Sequence, residues 1–253
     1  MSESVVRAHL NLYAVLQNIE DLLLLDAEAA SWARDWNLSL QFAVRGGPAA
    51  HLVFHNGRCT HGIGVMPSPD ISLYFLTHGH LNALFDGKGV PIPLKGFSRL
   101  GFLQKDFARL TDRLQYFLRP DPQRLADPAY LRINTHLTLN TALFAVKELA
   151  AHEPVSKTIA AHIPHGVLQV EVRPDGPCAY LVFGPQGVRA AKGLCASPSA
   201  RMTFRDIGVA NALLTNQLDA FLAVAQGCVI LEGMLPMIDN LNLILDRVPA
   251  YLA

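Results

Sequence analysis

The chain has 253 residues, of which 51% are hydrophobic and 17% charged, and its 21 Lys and Arg balance 21 Asp and Glu. A formal charge of zero without charged blocks disfavours a nucleic-acid-binding protein and a polybasic membrane-surface protein. The first 25 residues lack the basic start of a secretory signal, and no run of 18 uncharged apolar residues is present to span a membrane. The four cysteines lack CxxC spacing and are predicted to be free thiols, so we expect a cytoplasmic protein.

The first half of the chain alternates between helical and strand patterns. Apolar residues at helical spacing predict helices at 5–25, 27–36, 80–85 and 102–118. Alternating apolar residues predict strands at 38–44, 51–54 and 71–76, and a further edge strand at 90–94 that contains two prolines.

Asn56-Gly57 predicts a two-residue hairpin turn, in which His55 faces Arg58. In that register the inner face of the hairpin would carry Leu52, Phe54, Cys59, Ile63 and Val65.

An internal duplication organises the rest of the chain. Residues 119–130 are rich in proline without apolar periodicity and are predicted to be a linker. Pro48–Leu84 and Pro177–Leu213 are identical at 13 of 37 positions without a gap, where unrelated sequences would agree at roughly two or three. We therefore predict two copies of one domain, at 1–118 and 131–253.

The second copy contains a segment that the first copy lacks. Eleven residues separate Leu84 from Gly96, whereas 19 separate Leu213 from Gly233. The additional residues supply the apolar stretch QLDAFLAVAQ, which predicts a helix at 217–225. Around it we predict a strand, a helix and a second strand, at 202–204, 209–214 and 229–231, and then a closing helix. The first copy is therefore predicted to be shortened by one helix, and a cavity could not be lined identically in both copies.

The second copy also contains the run Asp219-Ala220…Gly227-Cys228-Val229-Ile230-Leu231-Glu232-Gly233, in which a helix and a glycine-bounded strand follow an acidic residue. This order resembles the sterol carrier protein 2 (SCP2) family over residues 165–253, and less closely over 38–118. The resemblance implies an α+β fold with two SCP2-like domains in tandem, each a mainly antiparallel mixed sheet covered by helices. It also implies an apolar tunnel for lipids or fatty acyl chains. Cys228 stands where the family often has a basic residue.

The apolar residues of both copies indicate which side chains would line such a tunnel, although the same residues would also suit a closed core. The candidates are Met202, Phe204, Leu213, Leu214, Leu218, Phe221, Leu222, Ile244, Leu245, Phe54, Phe75 and Leu84. Asn82 and Asn211 recur at equivalent helix positions. Their recurrence favours hydrogen bonds to the backbone near the sheet, and an anchor for a ligand headgroup is the alternative.

Residues able to perform chemistry form no known catalytic pattern. The sequence lacks GxSxG, P-loop, GxGxxG and HExxH motifs. His51, His55 and His61 surround the first hairpin, but its register places His61 on the other face, so we predict surface or partner-facing histidines and no metal site. Asp239 and Asp246, with Arg247 adjacent, are interpreted as a solvated helix face. We therefore predict no catalytic residue and no cofactor.

Three functions fit these observations. The first is a non-enzymatic carrier that sequesters a hydrophobic small molecule, such as a fatty acyl chain, a sterol or an isoprenoid-like compound, with the second copy as the better pocket. The alternative is an accessory protein whose two copies pack as a pseudo-dimer and present a scaffold to a biosynthetic enzyme. An enzyme that uses His51 or His55 is a third hypothesis. A protein partner or a homodimer is left open, and no nucleic acid or integral membrane segment is expected.

Overall fold

A computed structural model describes residues 2–119 and 121–252 of the chain. These residues form two compact units, Ser2–Arg119 and 121–252, which we call the first unit and the second unit. Within these two ranges, the structure contains no helix that is both long and apolar enough to cross a membrane.

The first unit consists of one five-stranded sheet with helical segments before, within and after it. Its α-helices are α1 (Glu3–Leu10), α2 (Asn18–Leu25), α3 (Ala27–Ala33), α4 (His78–Phe85), α5 (Leu100–Phe102) and α6 (Ala108–Leu118). Its strands are β1 (Asn37–Val44), β2 (Ala49–His55), β3 (Arg58–Ile63), β4 (Ile71–Phe75) and β5 (Ile92–Lys95). Asn11–Val15 and Leu103–Phe107 are π-helical segments, so the predicted helix at 5–25 is interrupted, whereas 100–118 is continuously helical.

The strands of the first unit are ordered β3-β2-β1-β4-β5. β1 and β4 are parallel, and the other neighbours are antiparallel. The hairpin prediction is confirmed, because His55 pairs with Arg58 across a turn in which Asn56 and Gly57 have φ of 48° and 79°. Ile63 and Val65, which were expected to face inward, are exposed. Ile63 is the last residue of β3, which lies at the edge of the sheet, and Val65 lies beyond this strand. Both side chains therefore reach past the buried face of the sheet.

The second unit repeats this architecture. Its α-helices are α7 (Pro128–His152), α8 (Pro154–Ala161), α9 (Ile207–Leu214), α10 (Ala220–Ala225), α11 (Leu235–Leu245) and α12 (Pro249–Leu252). Its strands are β6 (Gly166–Val172), β7 (Cys178–Gly184), β8 (Gly187–Lys192), β9 (Ala200–Phe204) and β10 (Val229–Gly233). Their order is β8-β7-β6-β9-β10, again with one parallel pair, β6 and β9. The predicted α+β class with two mainly antiparallel mixed sheets is therefore confirmed.

Two helix starts differ from the sequence prediction for local reasons. The helix predicted at 217–225 begins at Ala220, because Asn216 has φ of 56° and the Asp219 side chain accepts a hydrogen bond from Leu222 N at 2.9 Å, which caps the helix. Helix α7 begins at Pro128, inside the range assigned to the linker. Proline suits the first turn of a helix, and Asp127 caps α7 through Ala129 N at 2.9 Å.

A buried glutamine ties the central strand of each sheet to the strand beside it. In the second unit, Gln169 Nε2 donates to Val170 O, Ala179 O and Gly193 O at 3.0 to 3.2 Å, while its Oε1 accepts from Cys195 N at 2.7 Å. Gln41 makes the corresponding four contacts in the first unit, with Phe42 O, Ala50 O, Gly64 O and Met66 N. Both side chains are almost fully buried, so these contacts replace all of their hydrogen bonds to water.

An ion pair joins the helices at the two ends of each unit. Glu153, between α7 and α8, accepts from Arg247 Nε at 2.9 Å and from Arg247 Nη2 at 2.8 Å. Asp26, between α2 and α3, accepts from Arg113 Nε at 2.6 Å in the first unit. Arg247 is therefore a structural residue and does not belong to a merely solvated face. Burial raises the pKa of Glu153, but hydrogen bonds from Arg247 and Ser156 outweigh burial and lower the pKa to about 2.

The outer strands β5 and β10 are attached differently. In the second unit, Arg205 N donates directly to Cys228 O at 2.8 Å. In the first unit, the His80 ring lies between Leu76, which corresponds to Arg205, and Val90, which precedes β5. His80 Nδ1 accepts from Leu76 N at 3.3 Å, and Nε2 donates to Val90 O at 2.8 Å. Val209 is the equivalent of His80 in the second unit. The imidazole therefore bridges a gap that the longer second copy closes with its backbone.

Candidate functional site

Nine of the twelve candidate residues lie in the second unit, on β9, α9, α10 and α11 and in the segment between α9 and α10. Met202 and Phe204 are buried on the same face of β9, where they pair with Leu231 and Val229 of β10. Ile244 of α11 is fully buried, and Leu245 beside it is partly buried. Met202, Phe204 and Ile244 are therefore part of the buried core of the second unit.

Helix α9 is fixed to α7 by its asparagine. Asn211 Nδ2 donates to Asn134 Oδ1 at 2.6 Å and to Thr135 Oγ1 at 2.9 Å, all three side chains being buried. Asn82 is held in the first unit by a similar contact, since its Oδ1 accepts from Asn11 Nδ2 at 3.1 Å. Both asparagines therefore join helices. Asn82 also bonds to backbone, since its Nδ2 donates to Ser4 O at 3.0 Å, but Ser4 belongs to α1 and not to the sheet, where the bond was predicted.

The candidate residues at the end of α9 and after it, Leu213, Leu214 and Leu218, are partly buried. The chain between α9 and α10 is held by two backbone bonds, since Gln217 N and Leu218 N both donate to Ala212 O, at 2.7 and 3.1 Å. Leu213 and Leu214 therefore end α9, and Leu218 lies in the segment that leads to α10.

Helix α10 turns most of its apolar side chains outward. Phe221 is 88% exposed, Leu222 is 48% exposed and Val224 is 41% exposed, whereas Ala223 is fully buried. Because α10 has six residues and buries only Ala223, little apolar area holds it in place. Asp219 caps its start, and Gly227, with φ of 68°, follows its end. The helix is thus a short apolar segment between two sharp bends.

The three candidates of the first unit lie apart from such a surface. Phe54 is buried in an aromatic cluster. The centroid of its ring lies 5.2 Å from that of Trp36 and 6.4 Å from that of Phe107, and the centroids of Trp36 and Phe102 are 4.8 Å apart. Phe75 is fully buried and contacts the His80 ring at 5.3 Å, and Leu84 is partly buried. The first unit therefore fills the space beside Phe54 with its own rings.

The second unit has smaller side chains at two of the three corresponding places. At the offset of 129 residues Phe54 corresponds to Phe183, and at the offset of 137 set by Gly96 and Gly233, Phe107 corresponds to Ile244 and Phe102 to Asp239. At two of these places the second unit therefore lacks the aromatic rings of the first unit, and α10 packs against β10. In the described residues no helix corresponds to α10 between α4 and β5.

Two open hollows lie on the surface. One, of about 470 Å³, is bounded in the first unit by α1 and α4, with the Arg7–Asp86 ion pair on its wall. The other, of about 200 Å³, lies beside β9 and β10 and includes Arg201 and Glu232. None of the twelve candidates lines either hollow.

The histidines near the first hairpin use their rings for backbone contacts. His61 Nε2 lies 2.9 Å from Leu12 O, and His51 Nδ1 lies 3.2 Å from Gly64 O. His55 is exposed beside the turn and contacts Asn56 at 3.2 Å. His51 and His61 therefore have structural roles that the hairpin pattern did not indicate.

Sequence reasoning also missed the contacts of Gln169 and of Glu153 with Arg247. The recurrence of Gln41 as Gln169 was the available signal for the first of these. No comparable signal existed for the ion pair, because Glu153 and Arg247 are 94 residues apart.

Comparison with known proteins gave matches among solved structures. The chain is similar to a protein described as UbiJ-SCP2 ubiquinone synthesis protein, with TM-score 0.32, 18% identity, 40% of this chain covered and 90% of that chain. It is similar to SCP2-like 2 from Aedes aegypti, with TM-score 0.31, 18% identity and coverages of 42% and 94%. It is also similar to the sterol carrier protein domain 2 of Helicoverpa armigera, with TM-score 0.34, 16% identity and coverages of 44% and 87%. The predicted resemblance to SCP2-like domains thus recurs among structures, over about the length of one unit.

No protein-family profile matches the chain. No curated protein sequence matches it either.

Proposed function

We propose that the second unit binds a hydrophobic small molecule of the fatty acyl, sterol or isoprenoid-like type and releases it unchanged. The observation that carries this proposal is the exposed apolar side of α10, with Phe221 88% exposed beside the partly buried Leu213, Leu214 and Leu218. A ligand placed between α10 and α9 would contact both groups of side chains. The SCP2 resemblance of the same residues in the sequence supports this placement.

Helix α10 would act as a lid in this mechanism. The bends at Asp219 and Gly227 allow the helix to move while α9 stays fixed by Asn211. Each methylene group that the ligand buries contributes about 0.8 kcal/mol, so about ten methylenes contribute about 8 kcal/mol before the cost of ordering the ligand and the lid. Longer chains would therefore bind in the micromolar range, which permits both uptake and release.

The first unit is expected to contribute no second site. Phe102 and Phe107 pack around Trp36 and Phe54, and the chain between α4 and β5 forms no lid helix. We therefore expect one ligand for each chain.

The test measures which molecule the protein carries and whether α10 is needed to hold it. Native mass spectrometry of the freshly purified chain, followed by denaturing extraction, would identify a co-purifying ligand and its ratio to protein. A fluorescent fatty acid would then be titrated into the wild type, Phe221→Asp and Leu222→Asp. Both side chains are exposed, so we expect the variants to fold and to lose uptake by about tenfold or more, because a carboxylate is disfavoured in an apolar site.

Val65→Asp is the matched control, since Val65 is an exposed apolar residue of the first unit. Uptake that persists in folded Phe221→Asp and Leu222→Asp would show that the site assignment is wrong. Two ligands for each chain would contradict the expected single site.

The alternative of an accessory protein is favoured by the same exposed surface, if a protein and not a small molecule covers it. A chain that purifies without a ligand and takes up no fatty acid would favour this alternative.

A further inference from the structure

The two units carry opposite charges in equivalent parts of the chain. Residues 206–246 of the second unit contain five Asp and Glu and no Lys or Arg. Residues 77–109, which correspond to them in the first unit at the offsets of 129 and 137, contain five Lys and Arg and two Asp. The duplication therefore produced one basic and one acidic version of the same half-domain.

Both versions end in an outer strand with exposed apolar side chains. In the first unit, Val90 precedes β5, Leu94 lies in it and Phe97 follows it, and all three are more than half exposed. Lys88 and Lys95 lie among them and are exposed. We call the segment 88–99 the basic edge.

In the second unit, Ile230 lies in β10, and Met234 and Leu235 follow it; each side chain is about half exposed. Glu232 lies among them, and Asp239 is exposed one turn further along α11. We call the segment 229–239 the acidic edge. Gly96 follows β5 and Gly233 ends β10, with φ of 85° and 82°, so the two edges turn at equivalent positions.

The charges of the two edges make few close ion pairs, although Lys95 acts electrostatically on Asp70 and Glu232 lies opposite Arg201 in the β9–β10 pair. Lys95 Nζ contacts only the Ser68 hydroxyl, at 3.5 Å. Among residues 2–119 and 121–252, Lys88, Glu232 and Asp239 form no ion pair. Arg99 is the exception in the basic edge, since it lies 3.8 Å from Asp70. Each edge thus combines exposed apolar side chains with exposed charge of one sign.

We infer that the acidic edge of the second unit binds the basic edge of the first unit in a second copy of this chain. Such a contact would cover apolar side chains of both edges and pair Lys88 and Lys95 with Glu232 and Asp239. Pro91 and Pro93 have no backbone N–H to donate, so the contact would be made by side chains and would not extend the sheet.

Charge argues against other occupants of the acidic edge. An anionic membrane or a nucleic acid would be repelled by Glu232 and Asp239. The partner of complementary charge and apolar character is present in the chain itself. The contact joins two different surfaces and is therefore heterologous. Two chains that make the contact twice form a closed dimer, whereas chains that make it once with each neighbour form an open filament.

The test is a charge swap followed by sedimentation velocity over a range of protein concentrations. Lys88→Glu with Lys95→Glu, and separately Glu232→Lys with Asp239→Lys, should each raise the dissociation constant by about tenfold or more, because two attractive contacts become repulsive. The variant with all four substitutions restores opposite charges and should regain most of the affinity. Arg45→Glu with Arg58→Glu is the control, since it makes the same charge change at exposed sites of the first unit outside the basic edge.

Salt provides an independent readout. The screening length falls from about 10 Å at 0.1 M salt to about 3 Å at 1 M, so association of the wild type should weaken with salt.

A chain that stays monomeric at all concentrations would overturn the inference. Association that charge reversal leaves unchanged, or that the variant with all four substitutions does not restore, would also overturn it. A monomer that instead pellets with neutral phosphatidylcholine vesicles would assign the apolar edges to a membrane. The four charge substitutions leave Phe221 and Leu222 unchanged, so fatty acid uptake is tested separately from association.

Discussion

Replacing Arg247 with glutamine should destabilise the second unit at neutral pH and have little effect in acid. Glu153 is almost fully buried, and the guanidinium of Arg247 occupies both of its carboxylate oxygens. Arg247→Gln leaves a buried carboxylate without its charged partner, although the hydrogen bond from Ser156 N, at 2.6 Å, remains.

The magnitude follows from the pKa of Glu153. A pKa lowered from 4.5 to about 2 corresponds to about 3 kcal/mol of stabilisation when the carboxyl is ionised. The side chain of Arg247 is 36% exposed, and screening by water reduces its share to about 2 kcal/mol. Because the folded-state pKa lies below the unfolded value, this stabilisation is fully present above about pH 4.5 and is lost as the pH falls towards 2.

Hydrogen exchange with mass spectrometry measures this effect locally. Peptides from α8 and α11 report the second unit, while fluorescence from Trp32 and Trp36 reports the first unit, because the chain has no other tryptophan. We expect Arg247→Gln to lower the free energy of opening in α8 and α11 by about 2 kcal/mol at pH 7 without changing the tryptophan signal. Near pH 2 the variant and the wild type should be nearly equal.

Glu153→Gln, which removes the charge, is the matched variant. It should cost less than Arg247→Gln, since no charge is left buried without its partner. A loss in Arg247→Gln that is as large at pH 2 as at pH 7 would refute the reasoning, as would a loss below about 0.5 kcal/mol at neutral pH.

Two further predictions concern the contacts that hold the sheets. Gln169→Leu should destabilise the second unit by about 3 kcal/mol in urea unfolding, because three carbonyls and Cys195 N lose their shared partner. The control Gln186→Leu, at an exposed turn, should change stability by less than about 0.5 kcal/mol. Equal effects of the two substitutions would contradict the role of Gln169. His80→Ala should speed amide exchange about tenfold at Leu76 and at the non-proline residues of 90–95, since the imidazole bridge to β5 is lost. The control His165→Ala, at an exposed histidine, should leave this exchange unchanged. Unaltered exchange in His80→Ala would show that the bridge contributes nothing.

Local patterns predicted most of the fold because each depends on neighbouring residues. The hairpin register followed from Asn56-Gly57, and the strands followed from alternation, since side chains of a strand point to opposite faces. The duplication allowed one copy to support the reading of the other. The start of α10 was missed because its position depends on the bend at Asn216 and the cap at Asp219, which outweighed the longer apolar pattern.

The candidate site was less accessible to sequence reasoning. An apolar pattern identifies Phe221 as a helix residue but does not say whether it faces a core, a ligand or solvent, and the structure exposes it. Apolar character also gives no partner for a polar residue distant in sequence, so the bond between Glu153 and Arg247 could not be anticipated. Such pairs depend on how the helices at the two ends of a unit meet.

The glutamine that ties each sheet together has a consequence for how duplicated genes diverge. Of the 37 aligned positions between the copies 24 have changed, yet Gln41 and Gln169, which lie just outside that stretch, still make the same four contacts. A side chain that makes hydrogen bonds to several buried groups at once is difficult to replace stepwise, because any single substitution leaves all of these groups without a partner. Substitutions can accumulate around such a residue while it stays fixed, and it marks the common origin of the two copies after much of the surrounding sequence has drifted apart.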